Sequence, residues 1–298
     1  LFTVDNDYDN GDNERIVYLV QHGDSGWKMG HQTVVTFSDS VFNHVGPKPS
    51  KREQQLDIWM NEGLWQTRHD RQPAYIIPPV ALSIDGPCGF AYNPGVTALP
   101  AAFDKHFLIV SYKGGANNSG IHGFTLKPEG ATFALDKADW FLKGVAATDL
   151  DFAPDGRLYI SDYGGGWTRS NNGGIYTIAN EDKLKDPKVL EVKNLFAEGI
   201  PKMPSEKLYN LLAHDDQRIR TRAQFALAER GNESLPWFQK ALASELPLVR
   251  RLHGLWGIGQ LAQKDSSALK NLAGLFTDPE MEVRANLART LADHPQSS

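Results

Sequence analysis

The hydrophobic period of this chain changes once, near residue 204, and that change limits what the chain can form. Before it, short apolar runs alternate with turn signals. RIVYLVQ (15–21), KHFLIVSY (105–112), TDLDFA (148–153), RLYISDY (157–163) and GGIYTI (173–178) are rich in β-branched and aromatic residues and have strand lengths. After it, EKLYNLLAH (206–214), IRTRAQFALAERG (219–231), LPWFQKALAS (235–244), LVRRLHGLWGIGQLAQ (248–263), SALKNLAGLF (267–276) and MEVRANLARTLA (281–292) carry apolar residues at spacings of three and four, the mark of amphipathic helices. The prolines of PKMPS (201–205) suit a linker between the two. A length of 298 residues accommodates two such domains. In the first, a helix is expected only at REQQLDIWMNEGLW (52–65).

The helices repeat in pairs. Ile219-Arg220, Val249-Arg250 and Val283-Arg284 recur along the second part, each after a candidate capping acid or serine: Asp215-Asp216, Ser244-Glu245 and Asp278-Pro279. Gly231 suits a helix C-cap. The pattern resembles the HEAT repeat, which implies helix pairs stacked into a solenoid over 204–298. Arg218, Arg220, Arg222, Arg250, Arg251 and Arg284 are expected to pair with the capping acids within the repeats, the other reading being a partner-binding ridge.

In the first part, LDFAPDGRLYISD reads as a hairpin whose turn is Pro154-Asp155-Gly156. Proline presets φ, and glycine accepts the positive φ that such a turn needs. Several function classes drop out. A net charge of -5 gives no basic footprint for nucleic acid. No run approaches the length of a membrane-spanning helix. The single cysteine, Cys88, excludes an internal disulfide, a thiolate metal cluster and the C-x-x-C-H of an attached haem. The glycine-rich stretches GGANNSG (114–120) and GGGW…NNGG (164–174) open no helix and read as connecting loops. Ser25 within GDSGW matches a protease nucleophile over four residues only, and no His/Asp context supports that role. The opening LFTV reads as a strand already under way, so an internal fragment lacking its signal peptide is expected.

Four stretches, in order, resemble soluble glucose/sorbosone dehydrogenases, propellers that use pyrroloquinoline quinone (PQQ): DNDYDNGDNERIVYLVQHGDSGW, IDGPCGFAYNPG, HFLIVSYKGG and LDFAPDGRLYISDYGGG. The resemblance implies a fold class of several β-propeller blades over 1–200, followed by the all-α HEAT-repeat solenoid. It further implies an exported, periplasmic or otherwise extracytoplasmic protein. That protein would oxidise a sugar or polyol hydroxyl and pass electrons to a cytochrome c domain elsewhere in the parent.

Asp5, Asp7, Asp9 and Asp12 stand close together at the start. Such acids repel unless something positive lies among them, and a hard cation such as calcium takes about 6–8 oxygens. The loop is not an EF-hand, since Gly11 falls one place late and Ile16 occupies the position of the bidentate glutamate. Carried over by position, Asp5, Asn6 and Asp7 fall at the family's cofactor-calcium loop, with Asp5 and Asn6 on the cofactor side, and Asp12 and Glu14 near its structural calcium. The alternative is a solvated acidic turn. Lys113 matches a lysine that contacts the quinone, the alternative being an ordinary strand-end lysine. Against catalysis, Ala146 and Thr148 occupy positions where the family has arginines. His22, His31, His69, His106 and His122 lie outside the motif of its catalytic base. A non-catalytic, calcium-stabilised module that binds carbohydrate or protein is therefore the competing expectation.

Overall fold

A computed structural model describes residues 1–5, 14–26, 66–67, 69–82, 86–167 and 171–294. The helix expected over 52–65 lies outside them. The chain forms two compact units, one of strands and one of helices. The strand unit comprises 1–93, 100–152 and 158–178. The helical unit comprises 94–99, 153–157 and 179–298.

In the strand unit, β1 (Phe2–Asp5), β2 (Arg15–Tyr18) and β3 (Ala81–Leu82) form one antiparallel sheet. A four-stranded antiparallel meander follows: β4 (Pro87–Tyr92), β5 (Phe107–Ser111), β6 (Gly120–Glu129) and β7 (Thr132–Lys143). A third sheet runs through β8 (Ala147–Phe152), β9 (Leu158–Asp162) and β10 (Gly174–Ile178). β5 is buried along nearly its whole length because β4 and β6 flank it, which is why its sequence is a continuous apolar run. Ile16, Ile109 and Phe124 make a local core, closed by Phe90 and Phe107, whose stacked rings lie 5.6 Å apart. Gly89 lets β4 approach β8, since a Cβ there would overlap the backbone of Asp149.

The expected propeller is not what these residues form. They make three small antiparallel sheets of three, three and four strands, with no closed barrel or propeller among the described residues. The physical reason is locality. Alternation and turn chemistry specify hairpins, and the β8–β9 hairpin forms with its register running from Leu150↔Ile160 to Phe152↔Leu158. How successive sheets assemble depends on contacts between sheets, which hairpin signals do not encode.

The helical unit contains α1 (Pro187–Glu198), α2 (Ser205–Leu211), α3 (Gln217–Glu229), α4 (Leu235–Lys240), α5 (Leu248–Ala262) and α6 (Met281–Ala292). Asp216 caps α3, accepting from Arg218 N at 2.9 Å, and Asp186 caps α1, accepting from Lys188 N at 2.9 Å. Ser244 is not a cap, because α5 starts after Pro247. Ile219, Ala223 and Leu227 of α3 meet Leu255 and Ile258 of α5 and Phe238 of α4 in one continuous core. Gly254 and Gly257 bring α5 close to α4, where a Cβ at Gly257 would overlap the Phe238 ring. Val96 and the Pro154-Asp155-Gly156 turn belong to this unit. Val96 joins the core, and the Gly156 carbonyl accepts from Ala98 N at 2.8 Å. None of the described helices is long and apolar enough to cross a membrane.

One ion pair is buried within the stack, Arg251 Nη2 with Asp278 Oδ2, and both side chains are at most 5% exposed. Burial pushes the Asp278 carboxyl up, but its bonds to Arg251 and Glu280 N and the charges of Arg251 and Arg284 hold it below the usual range. Asp278→Ala leaves a guanidinium buried without its carboxylate. It is expected to lower the unfolding free energy by about 3–5 kcal/mol in urea denaturation followed by helical circular dichroism. Combining it with Arg251→Met should recover part of that loss.

Candidate functional site

Of the opening acids, Asp5 meets the chain's own cation, Arg15. Asp5 is buried at the end of β1, directly across from Arg15 on β2. Its Oδ1 accepts from Arg15 N at 3.1 Å. Its Oδ2 accepts from Arg15 Nε at 2.8 Å and from Nη2. The remaining Arg15 nitrogen, Nη1, donates to the Ser25 carbonyl. Glu14 is also buried, and its Oε1 accepts from Gly86 N at 2.5 Å. Asn6, Asp7 and Asp12 lie outside the described residues, as does His31. Among the described residues no three His, Cys, Asp or Glu side chains are grouped as a metal site. At Asp5 one carboxylate oxygen accepts from the Arg15 main chain and the other from its guanidinium, so a hard cation there would have to displace Arg15.

Lys113 lies exposed just after β5, its backbone N–H donating to Ser119 Oγ at 2.8 Å. Beside it, Gly114 at φ +77° leaves room for the Trp167 indole, which is 76% exposed and stands edge-on to Tyr112 at 5.3 Å. Ala146 is buried, and Thr148 shares a 3.2 Å hydrogen bond with Ser161. Neither offers a cation.

A different site appears on the helices. A groove of about 270 Å³ runs between α3 and α5. Its floor is a chain of polar side chains. Arg220 Nε donates to His253 Nε2 at 3.3 Å, which fixes the proton on Nδ1. His253 Nδ1 then donates to Gln224 Oε1 at 2.6 Å, and Gln224 Nε2 donates to Gln260 Oε1 at 2.9 Å. Each group satisfies the next. Burial first, and the Arg220 charge second, lower the His253 pKa to about 4, so the ring is neutral at neutral pH. Above this floor stand three exposed apolar side chains: Phe225 at 50%, Val249 at 40% and Trp256 at 39%. The Trp256 indole is held by Asn286, its Nε1 donating to Oδ1 at 2.9 Å, and by an edge-on contact with His253.

The arginine row is used largely within the repeats. Arg220 donates to the His214 and Asp215 carbonyls at 2.6 and 2.9 Å, and Arg284 to those of Asp278 and Pro279 at 2.5 and 3.1 Å. Arg218 pairs with the capping carboxylate of Asp216 at 2.7 Å. Arg250 donates to the Asn210 carbonyl at 3.2 Å, while Arg222 lies over the Phe196 ring. Sequence reasoning missed the groove. Its signal was present as Gln224 and His253, polar residues at buried positions of amphipathic helices, with Phe225 and Trp256 on the polar side.

A family model described as HEAT repeats matches residues 205–292, which include both helices of the groove. No curated protein and no solved structure matches the chain.

The floor carries a testable signature. The His253 pKa is near 4 when folded against an ordinary 6.5, so the unfolded chain takes up the proton first as pH falls. The helical unit is expected to lose on the order of 3 kcal/mol of stability between about pH 6.5 and pH 4. His253→Gln should flatten that part of the profile in urea titrations. Identical slopes for the two proteins would remove the histidine from the account.

Proposed function

We propose that the helical unit is a docking module and that the groove between α3 and α5 seats a short segment of a partner polypeptide. The observation that carries this reading is the exposure of Phe225, Val249 and Trp256 over a floor whose polar groups already satisfy one another. Such a floor asks for no charged ligand, and the mouth gains from burying an apolar side chain. The volume of 270 Å³ is small for a discrete ligand pocket, whose usual range is about 300–1,000 Å³, and suits one inserted side chain. At the rim, Gln217 is exposed and Thr221 half-buried, placed to pair with the amides of an extended segment. Stacked helical repeats present continuous surfaces of this kind. Selection of a phage-displayed peptide library on the full chain is expected to enrich peptides with an apolar anchor. Phe225→Ala and Trp256→Ala should each weaken those peptides by about tenfold or more. Enriched peptides indifferent to both changes, or no enrichment, would reject this assignment.

A second reading keeps the oxidation of a sugar or polyol hydroxyl in an extracytoplasmic parent protein, with PQQ as cofactor and a cytochrome as acceptor. What favours it is the exposed Trp167 indole lying in the notch at Gly114, the residue next in sequence to the exposed Lys113, a ring and a cation of the kinds suited to a planar aromatic anion. What weighs against it is the absence of a guanidinium at Ala146 and Thr148. Quenching of tryptophan fluorescence by added PQQ, with and without calcium, is expected if this reading holds. The quenching should weaken in both Lys113→Met and Trp167→Leu.

A further inference from the structure

Where α2, α4 and α5 meet, two positive charges stand on one aromatic ring. Tyr209 of α2 is buried, which fixes its ring, and it packs against the half-buried Trp237 of α4 at 5.7 Å. The Lys240 ammonium, at the end of α4, lies over Tyr209 at 4.7 Å from the ring centre and over Trp237 at 5.5 Å. The Arg250 guanidinium, in the first turn of α5, lies over Tyr209 at 4.9 Å. Measured from that shared centre, the two charges are no farther apart than the Debye length at 0.1 M salt, about 10 Å, so each feels the other.

The rings hold these cations without neutralising them, since a ring attracts a cation through its quadrupole but carries no net charge. Among the described residues neither Lys240 nor Arg250 forms an ion pair. Glu206 on α2, Glu233 ahead of α4 and Glu245 ahead of α5 pair with neither. Arg218 and Arg251, by contrast, each meet a carboxylate, that of Asp216 and that of Asp278. The Arg250 guanidinium is also sparsely bonded: Nη2 donates to the Asn210 carbonyl at 3.2 Å, and Nε is buried with no partner. The helices therefore offer two preorganised cations beside an aromatic wall to an anion from outside the unit. Which anion follows from extent. A nucleic-acid backbone needs a run of phosphate contacts, and a chain of net charge -5 gives it no such footprint. Two cations suit the carboxylates of a polypeptide, and the planar fork of Arg250 matches a carboxylate edge.

We propose that Lys240 and Arg250, held on Tyr209 and Trp237, form a docking point for an acidic polypeptide segment. This holds whatever the groove between α3 and α5 binds. The test uses the full chain and fluorescein-labelled hexaglutamate, with hexaglutamine as control, followed by fluorescence anisotropy. Hexaglutamate is expected to bind and hexaglutamine not, and the affinity should fall as salt rises. Lys240→Gln with Arg250→Gln should weaken hexaglutamate by about tenfold or more. Because Arg250 is half-buried, Lys240→Gln alone, which alters an exposed side chain, guards against misfolding. It should weaken the peptide several-fold while leaving the thermal midpoint in place. Lys264→Gln, the same charge removed from another exposed position of the helical unit, should change nothing, and neither should Phe225→Ala in the groove. Any of four results overturns the proposal: no binding of hexaglutamate; binding unchanged in the double variant; weakening by Lys264→Gln or Phe225→Ala as large as by Lys240→Gln; or tighter binding of an oligothymidylate of equal charge.

Discussion

Arginine bonded to main-chain carbonyls is the interaction on which the helical unit depends. A turn between helices leaves carbonyls without intrahelical partners, and burying them unpaired is costly. Arg220 takes the carbonyls at 214 and 215, and Arg284 those at 278 and 279, each reaching back six residues from its own helix. The same groups set the groove. Arg220 also donates to His253, so one guanidinium both closes a turn and dictates which tautomer the buried histidine adopts. A lysine there would bring an ammonium but no planar fork with which to serve the carbonyls and the imidazole together.

The repeat pattern was legible because helix stacking writes itself into spacing. Ile219, Val249 and Val283, each followed by arginine, mark equivalent helices, and Asp216 is the cap that its position suggested. The hairpin at 154–156 was legible for a similarly local reason. The arrangement of the sheets was not, because strand length and turn type are properties of neighbours in sequence. The groove was hidden for another reason. Gln224 and His253 look like flaws in apolar stripes until the two helices are set side by side and the polar atoms are seen to bond each other.

The opening acids show both effects in one place. Their crowding reads in the sequence as a demand for positive charge. For Asp5 the supplier is Arg15, which stands in the quoted strand run RIVYLVQ and is reached only once β1 and β2 pair with Asp5 opposite Arg15. A cross-strand partner ten residues away is invisible to any argument that treats the acidic stretch as a ligand set by itself.

The division of the chain into units has a consequence for anyone who would separate them. The helical unit is discontinuous in sequence: 94–99 and 153–157 leave the strand unit, contribute to the helices, and return. A piece beginning at residue 204 would hold the matched repeats yet lack α1, the Asn180-to-Ala98 bond and the Val96 plug. Its first helices would end in raw apolar surface. The boundary that composition draws along the chain is therefore not the boundary along which the protein comes apart.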